Sequence, residues 1–370
     1  MTPVSLVACA SYDPAALRAA AARAFDLADG PDPSGKTVLL KPNLLSASHP
    51  DKAVTTHPEV LRAAIRLFRE RGAARILVGE SPGWQSASLV AGRTGVRAVV
   101  EEEGVEWADF SESAVMEVPE GRVVKRFDAA RAALDADILV SLPKLKTHKL
   151  LYFTGAAKNL FGIVPGLGKS RYHLRFPERR EFGAMITDLV LAAKPAFSLM
   201  DAVVGMEGPG PGNGTPRPLG WLLASRDCLA LDWTASGLIG YEPGDIPYLA
   251  DARDRGILVP RDIEVRGLDP GRERVTDYKR IHVPHDTDFF RARLPGFVHR
   301  IARNLAVERP AFSDRRCVAC AGCVKICPAG ALAFREGKRA PVIDYAACIR
   351  CYCCHEICPA DAIRLIRRPW

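Results

Sequence analysis

Residues 317–328 read CVACAGCVKICP, and residues 348–359 repeat the same cysteine pattern as CIRCYCCHEICP. Nine of the 11 cysteines lie in this part of the chain. The apolar start of the chain, Val4 to Ala10, is short and follows no basic segment, so we expect neither a signal peptide nor a secreted disulfide scaffold. A block of thiols this dense in a reducing compartment indicates metal binding.

Each run has the spacing Cys-x2-Cys-x2-Cys-x3-Cys-Pro, which is the pattern of bacterial ferredoxins with two [4Fe–4S] clusters. In such proteins the fourth cysteine of each run binds the other cluster. The rule assigns the ligands as Cys317, Cys320, Cys323 and Cys358 for cluster 1, and Cys348, Cys351, Cys354 and Cys327 for cluster 2. Zinc ribbons are the alternative, but they usually show two CxxC pairs. We expect Cys353 to be a non-ligand, and an exchange with Cys354 stays open.

The rest of the chain alternates strand-like and helix-like segments. Thr37–Leu40 and Ala136–Leu142 are apolar strands, and Pro58 to Arg71 is an amphipathic helix followed by Gly72. This alternation predicts an α/β domain with a mainly parallel, helix-covered sheet, followed by a small α+β bacterial ferredoxin-like domain. The predicted division is 1–285 for the α/β domain, 286–311 for a helical linker and 312–370 for the two-[4Fe–4S] ferredoxin-type domain.

Composition excludes several classes of partner. The formal net charge of +8 would suit nucleic acid, but no binding motif accompanies it. No apolar run approaches the roughly 18 residues that a membrane span needs. We therefore expect a cytoplasmic protein that binds neither nucleic acid nor membrane, with basic residues that offset the negative charge of thiolate-bound clusters.

Basic and amide side chains follow two of the predicted strands. Lys41 and Asn43 come directly after the first strand, and Lys144, Lys146 and His148 come after the second. Ligands of open α/β sheets bind at the carboxyl ends of strands. Residues at spacing two share one side of an extended segment, so these donors indicate an anionic ligand. A capped strand end and a solvated basic loop are the alternatives.

Two further stretches carry candidate residues. Thr154-Gly155 is predicted to open a helix whose free N–H groups bind an anion, with Lys158 and Asn159 one turn in. The later Gly168-Lys169-Ser170 resembles the end of a P-loop, but Ile163 stands where that motif needs glycine, so we reject it.

A Gly/Pro-rich loop at 207–218 does not match the dinucleotide fingerprint. Glu207 and Asp201 flank it and are candidate acids or bases, with ordinary solvated acids as the alternative. His173, after the basic segment, is a further candidate ligand or acid.

Four stretches together resemble the family named domain of unknown function 362: KPN at 41–43, LPKLKTH at 142–148, GAAKNLFG at 155–162 and MEGPGP at 206–211. The resemblance covers roughly residues 36–250. It implies an α/β fold, often followed by a two-cluster ferredoxin module, and it implies no settled reaction.

The leading hypothesis is an iron–sulfur oxidoreductase in electron transport, which takes electrons from a soluble donor protein and delivers them to an anionic or carbonyl-bearing substrate. Lys144, Lys158 and Glu207 are the candidate catalytic residues, with Asp201 as a second proton source. The candidate substrate-binding residues are Lys41, Asn43, Lys146, His148 and Asn159. A non-catalytic electron carrier that docks to a partner enzyme, and a cofactor-biosynthesis or metal-handling protein, are the alternatives.

Overall fold

The computed structural model describes residues 1–281 and 307–366. Most of the linker predicted for 286–311 therefore lies outside the described residues. The strands are β1 (Thr2–Ala8), β2 (Thr37–Pro42), β3 (Arg75–Val78), β4 (Glu106–Trp107), β5 (Ser113–Glu117), β6 (Arg126–Ala130), β7 (Ile138–Leu142), β8 (Lys144–His148), β9 (Tyr152–Thr154), β10 (Phe197–Glu207), β11 (Thr215–Ser225), β12 (Ile263–Gly267), β13 (Arg309–Phe312), β14 (Leu332–Ala333), β15 (Val342–Ile343) and β16 (Ile363–Ile366).

The helices include three short ones of four residues. They are α1 (Pro14–Leu27), α2 (Pro58–Glu70), α3 (Ala87–Arg93), α4 (Val96–Glu102), α5 (Arg131–Asp135), α6 (Ala156–Asn159), α7 (Gly168–Arg175), α8 (Arg179–Ala193), α9 (Cys228–Leu238), α10 (Pro247–Asp254), α11 (Pro270–Glu273), α12 (Gly322–Ile326) and α13 (Cys353–Glu356). None of the helices in the described residues is long and apolar enough to cross a bilayer.

One large sheet organises the first domain, in the strand order β12-β1-β11-β10-β7-β2-β3-β4. Strands β10, β7, β2, β3 and β4 run parallel to one another, while β11 is antiparallel to both β1 and β10. Strand β8 continues from β7 and pairs in parallel with β10. The predicted α/β class with a mainly parallel sheet is confirmed.

Helices cover both faces of this sheet because side chains of a strand alternate between faces. Val38 and Leu40 of β2 pack into one buried layer with α1, α2 and α4. Leu39, between them, belongs to the opposite layer with α8, α9 and α10. The strands are apolar on both faces, as expected for a parallel sheet with helices on each side. This packing leaves the carboxyl ends of the strands as the open edge.

Helices α3 and α4 are separate because Gly95, between them, adopts a φ of +76° that cannot continue a helix. One segment differs from the sequence prediction. The loop predicted for 207–218 is shorter, since β10 extends to Glu207 and β11 begins at Thr215. Residues 208–214 form the turn of this long hairpin.

The cysteine-rich module is small and packs against the first domain. Strand β13 pairs with β16, β14 pairs with β15, and α12 and α13 each lie within a cysteine run. Trp84 of the first domain packs against the apolar group of Ile326 and Ile357. Asn213 Nδ2 donates to the carbonyl oxygen of His355 at 2.9 Å. The two parts of the chain therefore share a packed interface.

Candidate functional site

The eight motif cysteines surround two cavities in the module. The first cysteine cavity, about 370 Å³, is lined by Cys317, Cys320, Cys323 and Cys358. The second cysteine cavity, about 350 Å³, is lined by Cys327, Cys348, Cys351 and Cys354. The structure thus brings together the same two sets of four that the spacing rule predicts, with the fourth cysteine of each run exchanged.

The surroundings of both cavities fit an iron–sulfur core. Apolar side chains such as Phe312 and Leu332 complete the walls. Backbone N–H groups already point at sulfur: Ala331 N donates to Cys327 Sγ and Ala362 N donates to Cys358 Sγ, each at 3.3 Å. Hydrogen bonds to the sulfur atoms and exclusion of solvent are the features that tune such clusters. Ligation by each named cysteine stays a prediction.

A third cavity, about 680 Å³, lies between the two domains and is called the interdomain cavity below. Its walls come from the segments after β2 and β3, from α6 and α7, and from α12 and α13 of the module. The polar lining residues are Asn43, Glu80, Ser81, Lys158, Asn159, Lys169, Ser170, His173, Cys353 and Glu356. Cys353 also lines the second cysteine cavity, so one thiol lies in the wall between the two spaces.

Asn159 is the centre of a hydrogen-bonded network behind this cavity. Its Oδ1 accepts from Lys41 Nζ at 3.2 Å and from Asn43 Nδ2 at 3.1 Å. Its Nδ2 donates to the carbonyl oxygen of Lys41 and to Ser141 Oγ, both at 3.1 Å. Lys41 also forms a buried ion pair with Glu80. Because the amide of Asn159 is fully used, it positions its neighbours and has little capacity left for a ligand.

Lys146 contacts Asn43 and lies outside the interdomain cavity. Lys146 Nζ donates to Asn43 Oδ1 at 2.7 Å and to the carbonyl oxygen of Val54 at 2.6 Å. Burial lowers the pKa of Lys146 to about 7, because desolvation disfavours the charged amine. Lys146 is predicted as a substrate-binding residue. In the structure it contacts the lining residue Asn43 and is not itself among the residues that line the interdomain cavity.

His148 joins the two domains. Its Nδ1 accepts from Leu150 N at 3.1 Å and Leu151 N at 3.2 Å, so the neutral ring carries its proton on Nε2. Nε2 lies 3.4 Å from Glu356 Oε1 of the module. Burial lowers the pKa of His148 well below its ordinary value, which keeps this tautomer neutral. His148 therefore lies beside Glu356, whose Oε1 has no hydrogen-bond partner among the described residues, and His148 does not itself line the interdomain cavity.

Lys144 and Glu207 are not brought to the interdomain cavity. The register of β8 against β10 places Lys144 opposite Asp201, and Lys144 Nζ donates to Asp201 Oδ2 and to Tyr12 Oη, both at 2.8 Å. Glu207 accepts from Lys279 N at 3.1 Å on the far side of that hairpin. The candidate catalytic residues are thus separated, and only Lys158 among them lines the cavity.

The anion site predicted at Thr154-Gly155 is also different in the structure. Ala156 N and Ala157 N, the free donors at the start of α6, donate to the two oxygens of Asp232 at 2.6 Å and 3.0 Å. A carboxylate of the chain itself, supplied by α9, therefore occupies the place predicted for a ligand. The P-loop-like Lys169 donates to the carbonyl oxygens of Ser81 and Val164, each at 2.6 Å, which agrees with its rejection as a phosphate-binding lysine.

Lys158 and His173 are left without hydrogen-bond partners in the part of the chain that the structure describes. Lys158 Nζ lies 4.7 Å from the centre of the Phe161 ring. His173 stacks on Phe182 with 4.4 Å between ring centres, and its buried Nδ1 has no partner. Burial lowers the pKa of His173 to about 3 and also lowers the pKa of Lys158, a shift that Glu356 opposes. Two unsatisfied nitrogens thus face one cavity.

Residues 38–237 match the family described as "Domain of unknown function (DUF362)", and residues 309–359 match a 4Fe-4S dicluster domain. The chain belongs to the DUF362 family and carries a C-terminal 4Fe-4S-binding domain. It is 36% identical over 253 residues to the thylakoid-associated protein sll1697 of Synechocystis, covering 66% of this chain and 75% of that protein.

Two solved structures share part of the fold at low identity. The lactate racemase apoprotein from Thermoanaerobacterium thermosaccharolyticum has 15% identity and a TM-score of 0.40, over 63% of this chain and 58% of that one. A protein from Thermotoga maritima has 14% identity and a TM-score of 0.35, over 55% of this chain and 53% of that one. The chain thus spans a little over half of each neighbour.

Proposed function

We propose that this protein is an iron–sulfur oxidoreductase that passes electrons through two [4Fe–4S] clusters to an anionic or carbonyl-bearing small molecule held in the interdomain cavity. The observation that carries the proposal is the position of Cys353, whose side chain lines both the second cysteine cavity and the interdomain cavity. Cys353 is therefore part of the wall of a predicted cluster site and part of the wall of a cavity that contains unsatisfied polar groups.

The two cysteine sets would hold one cluster each. A bound cluster supplies one-electron chemistry, because it accepts and releases single electrons. The chain's own contribution is to bury two ligands of the second set, because Cys351 and Cys354 are each 9% exposed. Cys327 and Cys348 of the same set are half-buried.

Within the cavity, Lys158 and His173 would bind the substrate. Lys158 as an ammonium pairs with a carboxylate or polarises a carbonyl oxygen, and it is a source of the proton that accompanies an arriving electron. At an effective dielectric constant of 20, a unit charge 4 Å from such an ammonium gains about 4 kcal/mol. Lys158 replaces Glu207 and Asp201 in this role, because those two carboxylates have partners elsewhere.

One observation supports the electron-carrier alternative. Cys320 of the first set is exposed, so electrons could pass between the cluster of that set and a partner protein. The metal-handling alternative has less support. Apart from the two cysteine sets, no group of three or more His, Cys, Asp or Glu side chains is arranged to hold a metal ion among residues 1–281 and 307–366. We therefore retain the oxidoreductase as the proposal.

The first test is the cluster content. Anaerobically purified protein should contain about eight irons, with matching sulfide, and the dithionite-reduced form should give EPR signals of two interacting clusters. Few irons, or stoichiometric zinc, would contradict the cluster half of the proposal.

The second test addresses the cavity. Reduced protein is mixed anaerobically with a panel of 2-oxo acids, and reoxidation is followed through the visible absorbance. In Lys158→Ala and His173→Ala, reoxidation by an active compound should slow by on the order of 100-fold while the EPR signals persist. Lys36→Ala, which changes an exposed lysine outside the cavity, is the matched control. Unchanged reoxidation in Lys158→Ala would refute the proposed site.

A further inference from the structure

The two cysteine cavities differ in their access to solvent. Around the first, Cys320 is exposed, and the wall residues Val318 and Phe334 are 54% and 43% exposed. Around the second, Cys351 and Cys354 are buried: Cys351 belongs to the apolar group against which Trp84 of the first domain packs, and Cys354 lies among apolar residues of the module. Electron transfer falls off with distance, so a partner protein reaches the first set more readily than the second. The first set, called the outer set below, is therefore the point at which an electron from a partner protein enters most readily.

Basic residues surround this outer set. The turn between β14 and β15 contains Arg335, Lys338 and Arg339, all exposed, against the single acid Glu336. The turn lies close to the ligand set, because Cys317 Sγ is 3.5 Å from the carbonyl oxygen of Arg339. In the described part of the chain, neither Arg335 nor Lys338 has an ion-pair partner. The positive charge of this turn is thus available to another molecule.

The exposed apolar side chains Val318 and Phe334 line the first cysteine cavity, and Phe334 directly precedes the basic turn. We define the outer face as Val318, Cys320, Phe334, Arg335 and Lys338. Protein interfaces combine an apolar centre with a charged rim, in which the centre supplies binding energy and the rim steers encounter. A small inorganic reductant would need neither part, so the arrangement suits a protein.

We propose that the outer face docks an acidic one-electron carrier protein, which reduces the outer cysteine set's cluster. The inference rests on the proposed function, because it requires clusters in the cysteine cavities. One electron leaves the carrier and one enters the cluster, with no bond formed or broken. Charge complementarity selects the occupant: a second copy of this chain would bring the same basic turn against itself, and like charges repel.

The test compares two reductants of the full-length holoprotein. A reduced acidic ferredoxin is the protein probe, and dithionite is the small reductant. In Arg335→Glu/Lys338→Glu, the second-order rate constant for reduction by the ferredoxin at low ionic strength should fall about tenfold or more. Its dependence on salt should also become shallower than in the wild type. Reduction by dithionite should be unchanged.

A matched double variant, Arg23→Glu/Arg226→Glu, makes the same charge change on exposed residues of the first domain and should leave both rates close to wild type. Equal ferredoxin rates in the two double variants would overturn the outer face as the docking site. Two other results would also overturn it, if ferredoxin reduction is unaffected in Arg335→Glu/Lys338→Glu. In the first, the wild type forms dimers that this variant dissociates. In the second, the wild type binds phosphatidylserine vesicles and this variant does not. Failure of dithionite to reduce any variant, wild type included, would instead contradict the proposed function.

Discussion

Two buried-site lysines, Lys144 and Lys158, are expected to differ in role: Lys144 is structural and Lys158 has the proposed function. Substitution of each by methionine tests this difference. Lys144 is 1% exposed at its side chain and pairs with Asp201, which is fully buried. Methionine removes the ammonium and leaves a buried carboxylate whose remaining donors are Tyr12 Oη and His57 N. Breaking a buried ion pair in this way costs about 3–5 kcal/mol.

Lys158 should behave differently. Its amino group has no hydrogen-bond partner in the described residues, and its contact with the Phe161 ring survives in a methionine of similar length. Lys158→Met breaks no ion pair or hydrogen bond among the described residues, so we expect its free energy of unfolding to stay within about 1 kcal/mol of the wild type. This variant should nevertheless lose reoxidation by a 2-oxo acid.

Anaerobic thermal unfolding, followed by near-UV circular dichroism, measures the difference. For a domain of this size, a loss of 3–5 kcal/mol corresponds to a fall in Tm of roughly 6–20 °C. Lys144→Met/Asp201→Asn should recover part of that loss, because the neutral amide removes the unpaired charge. The reasoning is refuted if Lys144→Met melts within about 2 °C of the wild type, or if Lys158→Met falls as far as Lys144→Met.

Two further predictions concern cofactor content and pH. Cys353→Ala should retain about eight irons, whereas Cys354→Ala should lose about half of them; iron and sulfide analysis checks both, and the reverse result would show that the two cysteines exchange roles. Between pH 7 and pH 10 the free energy of unfolding of the wild type should rise relative to that of Lys146→Met. In this range Lys146, with a folded pKa of about 7, has released its proton, whereas the same lysine in the unfolded chain still binds one. Urea unfolding at several pH values measures this gain, and parallel pH profiles for the two proteins would contradict the assignment.

Residues of the site are predictable where their position follows from strand direction. Lys41 lies at the end of β2 and Asn43 directly follows it, and the structure brings both to the carboxyl edge of the sheet as the rule for α/β proteins predicts. The same rule could have identified Glu80, which follows β3 and pairs with Lys41. A carboxylate beside a Gly-Glu-Ser-Pro-Gly turn gave no motif to mark it, so the signal lay only in its position.

The pairing of side chains was not predictable, because it depends on register. Lys144 and Lys146 lie two residues apart on the same strand, so their side chains share one side of it. Lys144 nevertheless pairs with Asp201, whereas Lys146 donates a hydrogen bond to Asn43. Only the alignment of β8 against β10, which is irregular between its two paired positions, decides which residue meets which partner. Sequence spacing fixes the side of a strand and leaves the neighbour undetermined.

The interdomain cavity could not be predicted from the sequence, because its walls come from distant parts of the chain. Cys353 and Glu356 reach it from a module that follows Lys158 by almost 200 positions. The cysteine spacing predicts the module and contains no information on which face packs against Trp84 and Asn213. Docking of two folded units is set by shape and apolar contact, which no local pattern encodes.

Lys158 explains why such a cavity would select anions. A buried ammonium without a partner is costly, and proteins avoid that cost by pairing the charge or by releasing the proton. Lys41 and Lys144 have carboxylate partners, whereas Lys158 has none among residues 1–281 and 307–366. Burial therefore favours the neutral amine of Lys158, and a bound anion would favour the ammonium. In the proposed function, binding of an anion would be coupled to uptake of a proton by Lys158, which would place a transferable proton beside the bound molecule before an electron arrives.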